Sequence, residues 1–534
     1  MLTGHRRLFM LGAALLLAGI AEARATNAYP PADHIADWTV MVFMNGKGDL
    51  KCQSLSDFAD LARARTTPTT NIVVQLGLGE SPCSNIPNSD KWTGVLNFWI
   101  RQGLAPIVDD ACHEQDCPKT LDDLDMGDPK TLKGFVLWSR THFRAKHFML
   151  VLSAHGYGSV LRQFFLNNQL AARAKYLPQA EHASDAGIDQ EPEGGYSFIS
   201  SDRSFLYVRD VSRVLTHAFP QRGLDLLAFD SCLMGSIESA YELRNTARLI
   251  IADEDRESIR GWDYSDLANY LSSDGALKTG QQLAMRIAAR YSDRDSNWPL
   301  SIIATERLDT VAASLSDLGR DLRKSCKQPT CAKALNAIRG GVRVFGAENS
   351  VLDKVDIRSF ATQLAAKEDV PKGIQDEARL VTRALDGTLL PSVPESGGFN
   401  PSLSVYFPAS KSDYCAQRIY DQGGYALADC GEAPEPGPFF ALQFVEKHGW
   451  SLFLMDYLSN DDPQHMPTFV GSFRGAQTVL ALSRCSPLAG TQRSEQHPEH
   501  CVLSAIRSIF PWLELRSLAA ALNATHLGPP DFDE

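Results

Sequence analysis

"LLAFDSC" occupies residues 226–232. Its first residues form an apolar run suited to a strand covered on both faces, and it then ends in Asp230, Ser231 and Cys232. A cysteine there is core filler, half of a disulfide, a metal ligand or a nucleophile. Choosing among these requires knowing what kind of sheet the strand joins and what the other cysteines do.

Three further runs have the same character: "WTVMVFMNG" (38–46), "NIVVQLGLG" (71–79) and "HFMLVLSAHG" (147–156). Together with "LDLLAFDSC" (224–232) they lack period-two alternation, as expected of parallel strands buried on both sides. Helical patterns lie between them. "LSDFADLARAR" (55–65) follows the first strand, and "DPKTLKGFVLWSRTHF" (128–143) opens with Asp128 as N-cap and Pro129 at the first helical position. "VRDVSRVLTHAF" (208–219) precedes the strand at 224, and "MGSIESAYELRNTA" (234–247) follows it. Alternating strand and helix predicts an α/β fold with a mostly parallel sheet flanked by helices. Residues 266–385 read as mostly helical. Strands return at "SLSVYFP" (402–408), and the mixed α+β character extends into the C-terminal region. The stretch 167–195 is a long polar insertion, and "TVLALSRC" predicts a β segment in the tail. The expected organisation is a signal peptide over 1–25, a catalytic domain over 35–265, a helical continuation with a closing strand over 266–410, and a disulfide-bearing region over 411–534.

The amino terminus carries Arg6 and Arg7, an apolar run from Leu8 to Ala21, and small-residue cleavage patterns at 21–25. These are the marks of an export signal, and "RRLFM" also fits the twin-arginine type. No other stretch reaches about 18 consecutive apolar residues, so no integral membrane association is expected of the mature chain. Net charge is −12, which argues against nucleic acid as the main partner because a polyanion needs a basic surface.

Export brings the eleven cysteines into an oxidising compartment. They fall into local pairs: Cys52 with Cys83, Cys112 with Cys117, Cys326 with Cys331, Cys415 with Cys430, and Cys485 with Cys501. Cys232 is left over, and an odd thiol in an exported protein is a candidate for reactivity. Cys112, His113 and Cys117 lack a second half-site at zinc spacing. In open α/β sheets functional groups gather at the carboxyl ends of strands, where both His155 and Cys232 fall. A thiol attacks as its thiolate, an imidazole handles the proton, and the amides of Gly156 and Cys232 are candidate oxyanion donors. There is no Gly-x-Ser-x-Gly elbow and no His-Glu-x-x-His helix.

"WTVMVFMNGKGDL", "DMGDPKTLKGFVLWS", "LSAHGYGS", "LLAFDSCLMGSIESAYELR" and "GWDY" follow one another in order. They resemble the clostripain family of cysteine peptidases, which has the caspase-like fold. "VDIRSFATQL", "SLSVYFP" and "FVEKHGWSLFLMDY" extend the resemblance to residue 458. The resemblance implies a cysteine endopeptidase acting on peptide or protein substrates, with His155 and Cys232 as the dyad. It also implies that Asp230 lies at the floor of the S1 pocket, where a carboxylate pairs with a P1 arginine or lysine. Many members carry an acid just before the Gly-Trp pair, where this chain has Arg260; Glu254, Asp255, Glu257 and Asp263 are candidates to compensate. Arg260 also motivates a second expectation, a hydrolase with non-basic P1 preference. A third is a catalytically silent envelope protein on the same fold. Members are often self-cleaved after the catalytic histidine, and Arg162, Arg173 and Lys175 are the basic candidates here. No cofactor is required by the sequence. Calcium, used by some relatives, stays open, since no loop of EF-hand spacing occurs.

Overall fold

The computed structural model describes residues 30–31, 33–48, 50–79, 83, 86, 93–100, 124–156, 197–199, 205–255, 257, 261–273, 277–294, 300–345, 354–391, 401–416, 425 and 442–459. The expected signal peptide, the 167–195 insertion with Arg162, Arg173 and Lys175, Arg260 and the tail beyond 459 lie outside the described residues.

The four long apolar runs are strands β1 (Ala36–Gly46), β2 (Thr70–Leu78), β4 (Ala145–Ser153) and β7 (Leu224–Asp230). They join β3 (Gly94–Trp99), β8 (Ala247–Ala252), β9 (Ser301–Ala304) and β12 (Leu389–Leu390) in one sheet of order β12-β9-β8-β7-β4-β1-β2-β3. The central five strands pair in parallel, β3 and β9 run antiparallel to them on either side, and β12 pairs antiparallel with β9 at the edge. The sheet is therefore mixed. A two-stranded ribbon, β5 (Ser197–Ile199) with β6 (Phe205–Tyr207), precedes the helix Val208–Ala218. A small sheet pairs β10 (Val344–Phe345), β11 (Lys354–Asp356) and β13 (Ser404–Tyr406).

The absence of period-two alternation has a direct structural cause. Successive β1 residues enter different cores: Met41 and Phe43 face one side with Leu150, Leu152, Leu227 and Phe229, and Val40, Val42 and Met44 face the other with Val151, Leu226 and Ala228. Both sets are buried because helices cover both faces. On the first side the helix Pro129–His142 contributes Leu132, Phe135 and Val136, and the helix Leu308–Ser325 adds Leu315 and Leu318. On the second, Leu55, Phe58 and Leu61 of the helix Lys51–Arg63 pack with Tyr264 and Leu267. Asp128 caps its helix as expected, accepting the Lys130 N–H at 2.8 Å, with Pro129 in the first turn. The first core continues to the helix Trp450–Ser459, whose Trp450 indole donates to the Tyr406 carbonyl at 3.0 Å.

Disulfides join Cys52 to Cys83 and Cys326 to Cys331, and Cys232 is a free thiol. The three other expected pairs fall wholly or partly outside the described residues. No helix among the described residues is long and apolar enough to cross a membrane.

Chain order sets a topological switch point in the sheet. After β1 the chain moves to β2 on one side and later returns to β4 on the other, so β1 and β4 flank a switch point. Phe43 lies fully buried against Phe135 across this layer, with ring centroids 6.1 Å apart. Phe43→Ala is expected to lower unfolding free energy by about 3–5 kcal/mol in a denaturant titration, through lost burial plus the cavity left behind.

Candidate active site

The site begins with register. Ser153, the last residue of β4, pairs with Asp230, the last residue of β7. His155 and Cys232 each lie two residues beyond that pair, so they emerge at the same height from neighbouring strands. Ala154 N–H donates to the Asp230 carbonyl at 3.3 Å, and the Ser231 hydroxyl donates to the Leu152 carbonyl at 3.2 Å. Gly156 then lies directly on the next turn: a Cβ there would collide with the Cys232 carbonyl and stand 2.9 Å from the Cys232 nitrogen. The structure thus brings His155–Gly156 against Ser231–Cys232. His155 and Cys232 are both half-buried.

The turn that carries the thiol is held from its far side as well. Leu233 has φ +64°, a left-handed conformation that costs a branched residue about 1–3 kcal/mol unless its surroundings enforce it. They do: Leu233 N–H donates to the Asp255 carbonyl at 2.7 Å and Gly235 N–H to the Asp253 carbonyl at 2.6 Å. A Cβ on Gly235 would approach the Asp253 carbonyl carbon and oxygen to 2.8 Å. Ser236 then caps the helix Ile237–Leu243, accepting the Ser239 N–H at 3.2 Å.

Acids surround this turn. Asp230 Oδ2 accepts the Ser153 hydroxyl at 3.0 Å and the Tyr264 hydroxyl at 2.6 Å. Glu257 donates its backbone N–H to Cys232 Sγ at 3.2 Å, and the Trp262 indole donates to Glu257 Oε1 at 3.3 Å. Burial, then the carboxylates of Asp253 and Asp230, push the Cys232 thiol up, with the Glu257 N–H opposing them. Burial and the neighbouring Asp230 likewise hold Glu257 well above the usual carboxyl range. Asp253 is buried with Oδ1 accepting the Asp255 N–H at 2.8 Å, while Oδ2 has no partner among the described residues; burial raises it to about 8. Glu254 is raised by burial and by Asp356, and its Oε1 accepts the Ser402 N–H and the Ser301 hydroxyl.

Sequence reasoning named the four residues at the strand ends and Glu257 as one possible compensating acid. It missed the roles of Ser153, Tyr264 and Trp262, although "GWDY" contained the last two. It gave no sign of the left-handed Leu233. Arg260, the residue that put P1 preference in question, lies outside the described residues. Among the described residues no group of three or more His, Cys, Asp or Glu is arranged to hold a metal ion.

Comparison with known proteins bears on the same segment. The clostripain family model (Peptidase_C11) matches residues 190–421, which include Asp230, Cys232 and Glu257. Over these residues the chain is similar to the clostripain family. The chain is 25% identical over 194 residues to clostripain of Hathewaya histolytica, an alignment covering 35% of this chain and 31% of that relative. The chain thus matches about a third of the relative's length. Among solved structures, an inactive zymogen C11 protease from Parabacteroides distasonis aligns with TM-score 0.46 and 16% identity, covering 71% of this chain and 94% of that one. A secreted C11 cysteine protease from Bacteroides thetaiotaomicron aligns with TM-score 0.44 and 13% identity, covering 66% and 86%.

The buried acids beside this turn make stability depend on pH with a definite sign. Asp253 keeps its proton in the folded protein up to about pH 8, whereas the unfolded chain releases it near the ordinary aspartate value. Stability from this group is complete below about pH 4 and is lost as pH rises toward 8, by up to ~1.4 kcal/mol per pH unit. Asp253→Asn keeps the acceptor for Asp255 and is expected to flatten the slope of unfolding free energy over that interval, measured in denaturant at a series of pH values.

Proposed function

We propose that the protein is an exported cysteine endopeptidase that hydrolyses peptide bonds with Cys232 and His155 and prefers arginine or lysine at P1. The observation that carries this reading is the paired ends of β4 and β7, which present His155–Gly156 and Ser231–Cys232 side by side just beyond Asp230. In the first step the His155 imidazole takes the thiol proton while Sγ attacks the scissile carbonyl carbon. The oxyanion that develops is met by the amides of Gly156 and Cys232. His155 then protonates the leaving amine, and water hydrolyses the thioester to release the second product and restore the thiol. Because burial and nearby carboxylates disfavour a standing thiolate, proton removal accompanies attack rather than preceding it.

Asp230 supplies the charge that recognises a cationic side chain. Ser153 and Tyr264 hold Oδ2 from the sheet and from the helix Tyr264–Leu271, which fixes the carboxyl plane for a directional partner such as guanidinium. The export part of the reading rests on the basic-then-apolar amino-terminal stretch and on the two disulfides, which an oxidising compartment favours. Cleavage within 167–195, after Arg173 or Lys175, belongs to the same reading.

Reporter peptides with arginine, lysine or a neutral residue at P1 test this directly. Cys232→Ala and His155→Ala are each expected to lower kcat/KM on the arginine peptide by about a thousandfold or more, and iodoacetamide to abolish wild-type activity. Arginine-peptide activity that survives both alkylation and Cys232→Ala would remove the mechanism. On a denaturing gel, wild type is expected to show two fragments where Cys232→Ala stays as one band; identical patterns would remove the processing step.

A further inference from the structure

Glu257 contacts the nucleophile and the specificity acid with different parts of the same residue. Its backbone N–H donates to Cys232 Sγ at 3.2 Å, and its carboxyl hydrogen-bonds the Asp230 carboxyl while accepting the Trp262 indole N–H at 3.3 Å. Glu257 lies on the loop between β8 and the helix Tyr264–Leu271, the loop that also grips Leu233 and Gly235.

We propose that Glu257 couples recognition of a cationic P1 side chain to the nucleophile, its carboxyl sharing the cation subsite with Asp230 while its backbone N–H positions Cys232 Sγ. The inference rests on the basic-P1 reading given above and assigns that site a second acid. Two carboxyls in hydrogen-bond contact hold one proton between them, because both cannot be ionised at that separation in a buried site. The groups facing the Glu257 carboxyl are Asp230 at the end of β7, Asp253 after β8, and Cys232 between them. Tyr264 and Asp57 approach the Asp230 side from the helices Tyr264–Leu271 and Lys51–Arg63.

The step balances without any other reactant. A guanidinium or ammonium enters beside the pair, the shared proton leaves to solvent, and one cation then faces two carboxylates. The subsite carries one net negative charge before and after this exchange, so the link to Cys232 is positional: a cation holding the Glu257 carboxyl fixes the backbone N–H that donates to Sγ. A neutral P1 side chain leaves the pair protonated and gives the nucleophile no such help. Glu257 is thus a positioning and specificity residue, and selectivity appears in the bond-breaking step as well as in binding.

The test uses the full chain and three peptides identical except for arginine, lysine or citrulline at P1, assayed from pH 5 to 9. In wild type the ratio of kcat/KM for arginine over citrulline is expected to rise with pH as the pair loses its proton. Glu257→Gln should lower that ratio by roughly 30-fold and flatten its pH dependence, and Glu257→Asp should restore part of both. A second measurement needs no variant: agmatine binding to wild type, followed by calorimetry in two buffers of different ionisation enthalpy, should release about one proton at neutral pH. An unchanged ratio and pH profile in folded Glu257→Gln, or agmatine binding without proton release, overturns the role of Glu257 while leaving Asp230 and basic P1 preference standing. Equal cleavage of arginine and citrulline peptides by wild type, or no agmatine binding, sinks the basic-P1 reading and this inference with it.

Discussion

The close packing of backbone on backbone around residues 231–235 is the constraint on which the site depends. On one side Gly156 lies where any Cβ would strike the Cys232 carbonyl; on the other Gly235 lies where a Cβ would press on the Asp253 carbonyl. Between them the chain makes the left-handed turn at Leu233, tied to Asp255 by a 2.7 Å hydrogen bond. None of these contacts depends on the thiol itself. The turn is therefore set by the ends of β4, β7 and β8, and the cysteine takes its direction from a rigid frame. Such a frame suits a nucleophile, because small misplacements of a reacting atom are costly in rate.

The same frame explains why so many acids are buried close by. The turn is held by the loop that follows β8: the Asp255 and Asp253 carbonyls accept the Leu233 and Gly235 N–H groups, and the Glu257 N–H donates to Cys232 Sγ. Asp253 also accepts the Asp255 N–H, and Glu254 Oε1 holds Ser402 and so ties the loop to the strand β13 region. On the helix that follows Cys232, Glu238 does likewise, accepting the Tyr406 N–H at 2.8 Å and the Tyr425 hydroxyl at 3.0 Å. Each of these carboxyls is raised by burial, which disfavours its charged form while it satisfies backbone donors. The cost is electrostatic: an ionised Asp253 opposes a thiolate at Cys232. Under the proposed mechanism the thiol is therefore activated during turnover, by His155.

Legibility from sequence followed the physics of each element. The long strands were readable because burial on both faces makes their composition uniform, and Asp128-Pro129 was readable because capping is local. The edge strands β9 and β12 are four and two residues long and carry no period of their own; only their pairing with β8 and with each other makes them strands. Cys232 stood out because the other cysteines had near neighbours in sequence, and Cys52–Cys83 and Cys326–Cys331 are joined as that spacing suggested. Tyr264 and Ser153 were invisible as Asp230 partners because one comes from a later helix and the other from a neighbouring strand, contacts that no local pattern encodes.

The one misread detail at the centre is instructive. Apolar composition suggested a strand running through residue 232, but β7 stops at Asp230. The pairing with β4 ends there because Ser153 is the last strand residue on the other side, and Gly156 then crosses over the turn instead of continuing beside it. Had the strand continued, Cys232 would sit within the ladder with its side chain directed to one of the two cores. Ending it two residues earlier, and reversing direction at Leu233, leaves the thiol at the rim beside His155–Gly156. The position of the strand end, more than the presence of a cysteine, is what makes Cys232 available for chemistry.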